Sequence, residues 1–441
     1  MSGFTEMKTK KFAFFGCWNE VHYPSEDPKE NDAPCFKIQE NEPKHKCDEF
    51  SAVLEEIKTQ NVDFLVVAGD NYYPQKKKDD NGNKTKTFGP EDFYKGFNAL
   101  KSVDKPTYLL IGNHDVDNIA PKEKTKDKTK KDKSKKGGNL EGKDCRVIDA
   151  EIEFAKNKDS KIKIFDYKLE LIVEEMQKTN TLCIMVDTNF EEPLDCYSSL
   201  LKEEDKHLNR EQIIDKQKTM IKKIIDNYKN ENQNPIQNVC FFGHHPLLCL
   251  KKKKGKVILE DDNMEWNHFL FHVIVDEKNG LQDIPHKYYF CADLHHYQTG
   301  VVTITDGNKT IKIKQYIAGT GGAHMDPKIT EESRIEKEYL RKISIRGDIH
   351  SSYVMNQSIE KNGFLIIDYT IPELSVVFHP VYFSKKAKPL SHLPSLRSKS
   401  RSRSRGRSHS LSRRGKLGII RSNSLGGKTR RIKRKNKKNK H

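Results

Sequence analysis

The sequence contains no apolar run long enough to span a bilayer, and residues 1–11 lack the apolar stretch of a secretory leader. Its nine cysteines include no C-x-x-C pair. An odd number without that spacing leads us to expect a soluble protein of a reducing compartment, cytoplasm or nucleus, with thiols free or bound to metal. Only 34% of the 441 residues are hydrophobic, against 32% charged. That is too polar for every segment to join a core. The length suits two or three domains, or one large domain with insertions.

Acidic residues are absent from 385–441, which holds 22 of the 80 Lys and Arg. All 63 Asp and Glu therefore face 58 basic residues in 1–384, so the body carries −5 and the net +17 belongs to the tail. The tail alternates Arg and Ser (RSKSRSRSRGRSHS) and ends near KTRRIKRKNKKNK. Such a segment cannot build a core and is expected to be disordered. The plain reading is a solvated extension. The functional one is contact with nucleic acid or another polyanion, or a nuclear-localisation signal, with the serines as candidate phosphorylation sites.

What is present is a repeated alternation of apolar runs and helical patterns. Lys11–Gly16, Val62–Ala68 and Thr107–Ile111 read as strands. Between them lie a helix capped by Asp48 and a helix over Pro90–Ser102. This order argues for parallel pairing with right-handed crossovers. Further on, Thr181–Asp187, Gln237–Gly243 and Lys287–Ala292 read as strands, with a long helix to about Tyr228. Val301–Thr305 and Ile311–Ile317 flank the hairpin signal Asp306-Gly307-Asn308. Phe364–Tyr369 and Ser375–Phe383 add two more strands. Lysine-rich stretches at 76–86, 121–143 and 251–256 lack apolar periodicity and read as solvated loop insertions.

Polar clusters stand at the ends of five of these strands. They are Gly16-Cys17-Trp18-Asn19, Gly69-Asp70-Asn71-Tyr72-Tyr73, Gly112-Asn113-His114-Asp115, Gly243-His244-His245-Pro246 and Cys291-Ala292-Asp293-Leu294-His295-His296. Alone, each is what a turn or a surface patch provides. Side chains at the carboxyl ends of the strands of an open α/β sheet, however, converge on one crevice. Carboxylate, imidazole and amide groups together suit hard or borderline cations, and a bridging carboxylate holds two of them.

These clusters resemble the blocks of the calcineurin-like metallophosphoesterase superfamily and, within it, of the purple acid phosphatases. GDNYY is similar to their GDNFY-type block, GNHD is the shared superfamily block, and GHHP resembles GHYP. CADLHHYQ resembles CGHDHNLQ, and Gly319–Pro327 (GTGGAHMDP) is similar to the Gly-rich stretch that follows it. The resemblance runs from Lys11 to Phe383 with insertions. It implies an α/β fold over 1–384, a four-layer sandwich of two mixed sheets flanked by helices. It implies two metal ions of the Fe, Zn or Mn class. It also implies hydrolysis of phosphate monoesters, on a phosphorylated small molecule or phosphoprotein, by a hydroxide that the metals hold. Carried over by position, Asp70 bridges the metals. Tyr73 and His295 bind the first, and Asn113 and His244 the second. His114 is the general acid, and His245, His296 and His324 line the substrate.

Two positions depart from that pattern. Cys17 stands where a first-metal aspartate is expected, and Asp293 where a second-metal histidine is expected. A thiolate favours zinc or ferrous iron over ferric iron, and Glu20 or His22 offers a substitute ligand. Two other readings follow: a metal-impaired pseudoenzyme serving as a binding module, and a phosphodiesterase brought to nucleic acid by the tail.

Overall fold

The computed structural model describes residues 10–19, 37–39, 42–45, 49–78, 84–117, 144–157, 159–164, 178–189, 205–231, 234–253, 256–260, 281–329, 341–342, 349–370 and 372–382, with 119, 176, 196, 199–201, 270, 273 and 274. Asp48, Glu20, His22, the insertion at 121–143 and the basic tail lie outside the described residues. The chain divides into a compact unit, Met1–Ala387, and a second, Lys388–His441, of which no residue is described.

In chain order the elements are β1 (Lys11–Phe15), β2 (Lys37–Gln39), β3 (Glu42–His45), α1 (Glu49–Thr59), β4 (Phe64–Ala68), β5 (Gln75–Lys78) and β6 (Lys84–Thr87). Then come α2 (Pro90–Lys101), β7 (Thr107–Leu110), α3 (Arg146–Lys156), β8 (Ile162–Ile164), β9 (Thr181–Met185), α4 (Arg210–Glu231) and β10 (Asn238–Phe242). The last are β11 (Cys249–Lys253), β12 (Lys256–Glu260), β13 (His286–Cys291), β14 (Tyr297–Asp306), β15 (Lys309–Ala318), β16 (Arg341–Lys342), β17 (Ile349–Ile359), β18 (Gly363–Asp368) and β19 (Ser375–Pro380).

Two mixed sheets carry the fold, as expected. The first runs β19-β18-β1-β4-β7-β8 and the second β16-β17-β14-β15-β13-β10-β9. β1, β4, β7 and β8 are parallel, as are β9, β10, β13 and β15. Strand alternation explains how they stack. Phe12 and Phe14 project from β1 into the space between the sheets, where Phe14 lies 5.6 Å from Phe290 and Phe12 lies 5.9 Å from Phe242. Ala13 and Phe15, on the other face, join a second cluster with α1 and α2 through Val53, Ile57, Phe93 and Phe97. On the far sheet, α4 contributes Ile213, Ile221 and Ile225 to the core. The layers are thus helix, sheet, sheet, helix.

The hairpin falls where Asp306-Gly307-Asn308 placed it. Asp306 pairs with Lys309, and Gly307 takes φ +54°, which a two-residue hairpin turn demands. Two of the three lysine-rich insertions need correction, since they contain antiparallel ribbons, β5–β6 and β11–β12, in place of irregular loops. Backbone pairing across a short turn needs no apolar face, so periodicity did not reveal it. The cysteines need correction too. Cys145 and Cys196 form a disulfide, while Cys17, Cys183, Cys240, Cys249 and Cys291 are buried thiols. The partners are 51 residues apart, a pairing that spacing alone does not reveal.

Candidate metal centre

The carboxyl ends of the parallel strands of both sheets meet. Gly16 N donates to Ala318 O at 2.9 Å and Cys17 N to Gly69 O at 3.0 Å. In the second sheet Gly243 N donates to Phe290 O at 3.0 Å and Ala292 N to His244 O at 2.8 Å. Asn189, after β9, donates to Ile111 O after β7 at 2.7 Å, linking the sheets at this edge. The turns there are sharp. Cys17, Asn19, Asp70 and Asp293 all have positive φ, from 51° to 61°. Asp and Asn enter this region at modest cost, and Cys less readily. Gly112 is required, because a Cβ there would sit 2.2 Å from Asp70 N and 2.3 Å from Asp70 Oδ1.

Asp70 is the centre of what these turns bring together. Its Oδ2 accepts from the Tyr73 hydroxyl at 2.9 Å and lies 4.0 Å from Cys17 Sγ. Tyr73 Oη is also 3.0 Å from His295 Nε2. The other oxygen, Oδ1, accepts from His114 N at 3.1 Å and lies 3.4 Å from His244 Nε2. That nitrogen is also 3.1 Å from Asn113 Oδ1 and 3.9 Å from Asp293 Oδ1. Two metal-competent groups result, Cys17–Asp70–His295 and His244–His245–Asp293, each with ligand atoms within 4.8 Å of one another.

Both histidines are held in the ligating tautomer. His244 Nδ1 donates to Ala68 O at 2.6 Å and His295 Nδ1 to His324 O at 2.8 Å. Each Nε2 is left facing oxygen atoms, where a proton or a metal ion must lie between them. Lone pairs converging in a buried site are satisfied by a shared cation, and this outer ring of carbonyls is what orients such ligands. The donor set therefore fits metal ions.

The electrostatics agree. Burial alone would raise Asp70, but His244, His114 and His295 around it bring it down to about 2. Burial, reinforced by Asp70, lifts the Cys17 thiol and the Tyr73 phenol well above their ordinary values. Either group becomes an anionic ligand only beside a cation. His114 lies at the rim. Burial would lower it, but Asp70 and Asp117 raise it to about 9. Its Nδ1 is 3.2 Å from Asp117 Oδ2, which also pairs with Lys86.

The remaining positions divide. His245 is nearly buried, with Nδ1 2.9 Å from Thr188 Oγ1, and it joins His244 and Asp293. His324 is exposed and meets His295 through its carbonyl. His296 is only 1% exposed, and its Nε2 accepts from Gln298 Nε2 at 3.1 Å. Sequence reasoning missed the support beneath Asp70. Asn71 donates through Nδ2 to Leu110 O, Asp115 Oδ2 and Glu151 Oε2, and accepts from Trp18 Nε1. Glu151 is fully buried on α3, a helix no sequence signal led us to expect.

The family model for calcineurin-like phosphoesterases matches residues 10–297. The chain belongs to that family. The match takes in all five strand-end clusters, and the chain is in general terms a metal-dependent phosphoesterase whose candidate metal-holding groups lie within the matched span. None of the curated proteins matches the chain. The solved structure of PhoD is similar over 85% of this chain and 72% of that one, with 10% identity and a TM-score of 0.42, too shallow to add to the family match. Among the described residues no helix is long and apolar enough to cross a membrane.

Proposed function

We propose that this phosphoesterase is a dinuclear phosphatase of purple acid phosphatase type that hydrolyses phosphate monoesters. The observation that carries the reading is the position of Asp70. One oxygen faces Cys17 and Tyr73, the other faces His244, and each set continues into its own cluster of donors. Cys17, Tyr73 and His295 would hold the first ion, with Asn113, His244 and Asp293 holding the second and His245 beside it. Two such cations supply an activated water and offset the negative charge that develops on the phosphoryl group. His114 stands protonated at the rim, where it donates to the leaving oxygen as the ester P–O bond breaks and the water oxygen bonds to phosphorus. His324, exposed beside His295, is placed to meet the substrate. Residues 1–384 form the catalytic unit, and the basic tail a polyanion-binding extension.

The test combines metal analysis of the purified protein with p-nitrophenyl phosphate turnover, in wild type and Asp70→Asn. Two bound ions and turnover in wild type, both lost in Asp70→Asn, are expected. Metal-loaded wild type without turnover makes the protein a binding module. Turnover of a diester but not the monoester makes it a phosphodiesterase.

A further inference from the structure

A sixth strand end adjoins the five that carry the donors. β9 runs into Val186 and then Asp187-Thr188-Asn189, three polar residues that are all buried, Thr188 completely. The order β13-β10-β9 puts this turn on one flank of β10 and the turn of Asp293 on the other. His245 follows β10 and stands between them.

His245 is pinned on every side but one. Its backbone N donates to Thr188 Oγ1 at 3.1 Å, and its carbonyl accepts from Tyr289 Oη at 2.6 Å. The ring is fixed as well. Nδ1 is 2.9 Å from the same Thr188 Oγ1, and the ring stands edge-on to His244, with centroids 4.8 Å apart and planes at 83°. One threonine hydroxyl thus sets both the backbone and the imidazole. Only Nε2 makes no hydrogen bond among the described residues.

A ligand atom of His245 lies within 4.8 Å of ligand atoms of both His244 and Asp293. With Nδ1 engaged by Thr188, Nε2 is the nitrogen left to serve. Two imidazoles and a carboxylate together suit a borderline divalent cation such as zinc, with a position left open. A histidine that meets substrate has to reach the cleft, as the exposed His324 does. His245 is 9% exposed and its ring packs on that of a metal donor, so its place suits a ligand better than a substrate contact.

We infer that His245 is a protein ligand of the second cation and that Thr188 is its positioning residue, so that His244, His245 and Asp293 together hold a zinc-class ion. This rests on the metal-centre half of the phosphatase reading and not on turnover. The experiment uses the full-length protein stripped by a chelator. Zinc binding is followed by calorimetry, and cobalt binding by the visible d–d bands, which report the ligand set. Thr188→Val keeps every ligand but removes the hydroxyl. It should weaken one of the two ions about tenfold and shift its cobalt bands, and Thr188→Ser should restore both. In His245→Asn the amide takes the place of Nδ1 and nothing replaces Nε2, so the same ion should weaken further while the other binds as in wild type. Wild-type affinity for both ions with unchanged bands in His245→Asn overturns the inference. If the KM for p-nitrophenyl phosphate rises in that variant instead, His245 is a substrate contact. Equal weakening of both ions also overturns it, since a general loosening of the fold does that. Where His245→Asn does not fold, the threonine pair decides, and equal affinities in Thr188→Val and Thr188→Ser overturn the positioning role and the ligand with it. If wild type binds ions without turnover and the differences persist, the phosphatase reading fails and the ligand stands. Wild type that binds no ion overturns both.

Discussion

Cys17 combines a buried thiol, a left-handed backbone and two carboxylates nearby. Aspartate tolerates that backbone better than cysteine does, but a third carboxylate beside Asp70 and Asp293 is repelled until cations arrive. We therefore expect Cys17→Asp to raise activity with manganese or magnesium relative to zinc. The gap in melting temperature between metal-loaded and chelated protein should widen beyond wild type. If the gap in calorimetric scans is unchanged, position 17 does not touch a metal. His114 makes the second prediction. Its folded value, about 9, lies above the ordinary 6.5. The stability it contributes is thus complete below the unfolded value and is lost as pH rises through about 9. In the proposed role the same proton serves the leaving group, so the alkaline limb of kcat should track it. Asp117→Asn removes one of the groups that raise His114 and should move that limb down by roughly one pH unit. A limb that stays in place in the pH–rate profile assigns the proton to another group.

At the scale of elements, α3 links a helix to the chemistry. Its Glu151 reaches Asn71, next to Asp70, and is hydrogen-bonded to Asp115; burial raises both acids, reinforced by Asp115 for Glu151 and by Asp70 for Asp115. Glu151→Gln keeps a donor toward Asp115. Glu151→Ala takes an acceptor from Asn71 Nδ2 and a partner from Asp115, which still accepts from Asn71 N, Tyr72 N, Asn71 Nδ2 and Gly112 N, and with the cavity left behind should cost about 2–3 kcal/mol in urea unfolding. It should also weaken metal binding, which Gln should largely preserve. Equal metal affinity in the two variants would separate this pair from the site. Glu151 also shows where reading the sequence stops. The strands ending at Cys17, Asp70, Asn113, His244 and Asp293 were legible, because buried parallel strands are continuous apolar runs, here closed by glycine in four of the five cases. Their donors were legible because strand ends converge. The α3 helix follows a lysine-rich insertion and is only 11 residues long, and although Val147, Ile148 and Ala150 give it an apolar face, nothing in the sequence marks its one buried acid. The long strand β17 (IHSSYVMNQSI) was hidden because polar residues fill much of it, while its pairing with β14 is a backbone ladder that needs no apolar pattern.

For the whole molecule, the candidate metal donors come from both sheets. Cys17, Asp70, Tyr73 and Asn113 follow strands of the first, and His244, Asp293 and His295 follow strands of the second. Between the sheets the contact is largely apolar, through Phe12, Phe14, Phe242 and Phe290. Cations at the open edge would therefore act as cross-links between layers that are otherwise joined by packing and a few bonds such as Asn189 to Ile111. Ligand binding to the native state alone adds about 2.7 kcal/mol at a hundredfold excess over Kd. In a unit this large each kcal/mol moves the melting temperature by roughly 2 °C. Chelation should thus lower it by about 5 °C and leave the secondary structure seen by circular dichroism intact. Because the clip spans both layers, His244→Ala, on the second sheet, and Asp70→Asn, on the first, should each remove most of that metal-dependent increment. Their effects should not add in the double variant, since either change alone opens the same link. Additive losses would show two independent sites, each stabilising its own sheet, and would contradict a shared centre built around Asp70.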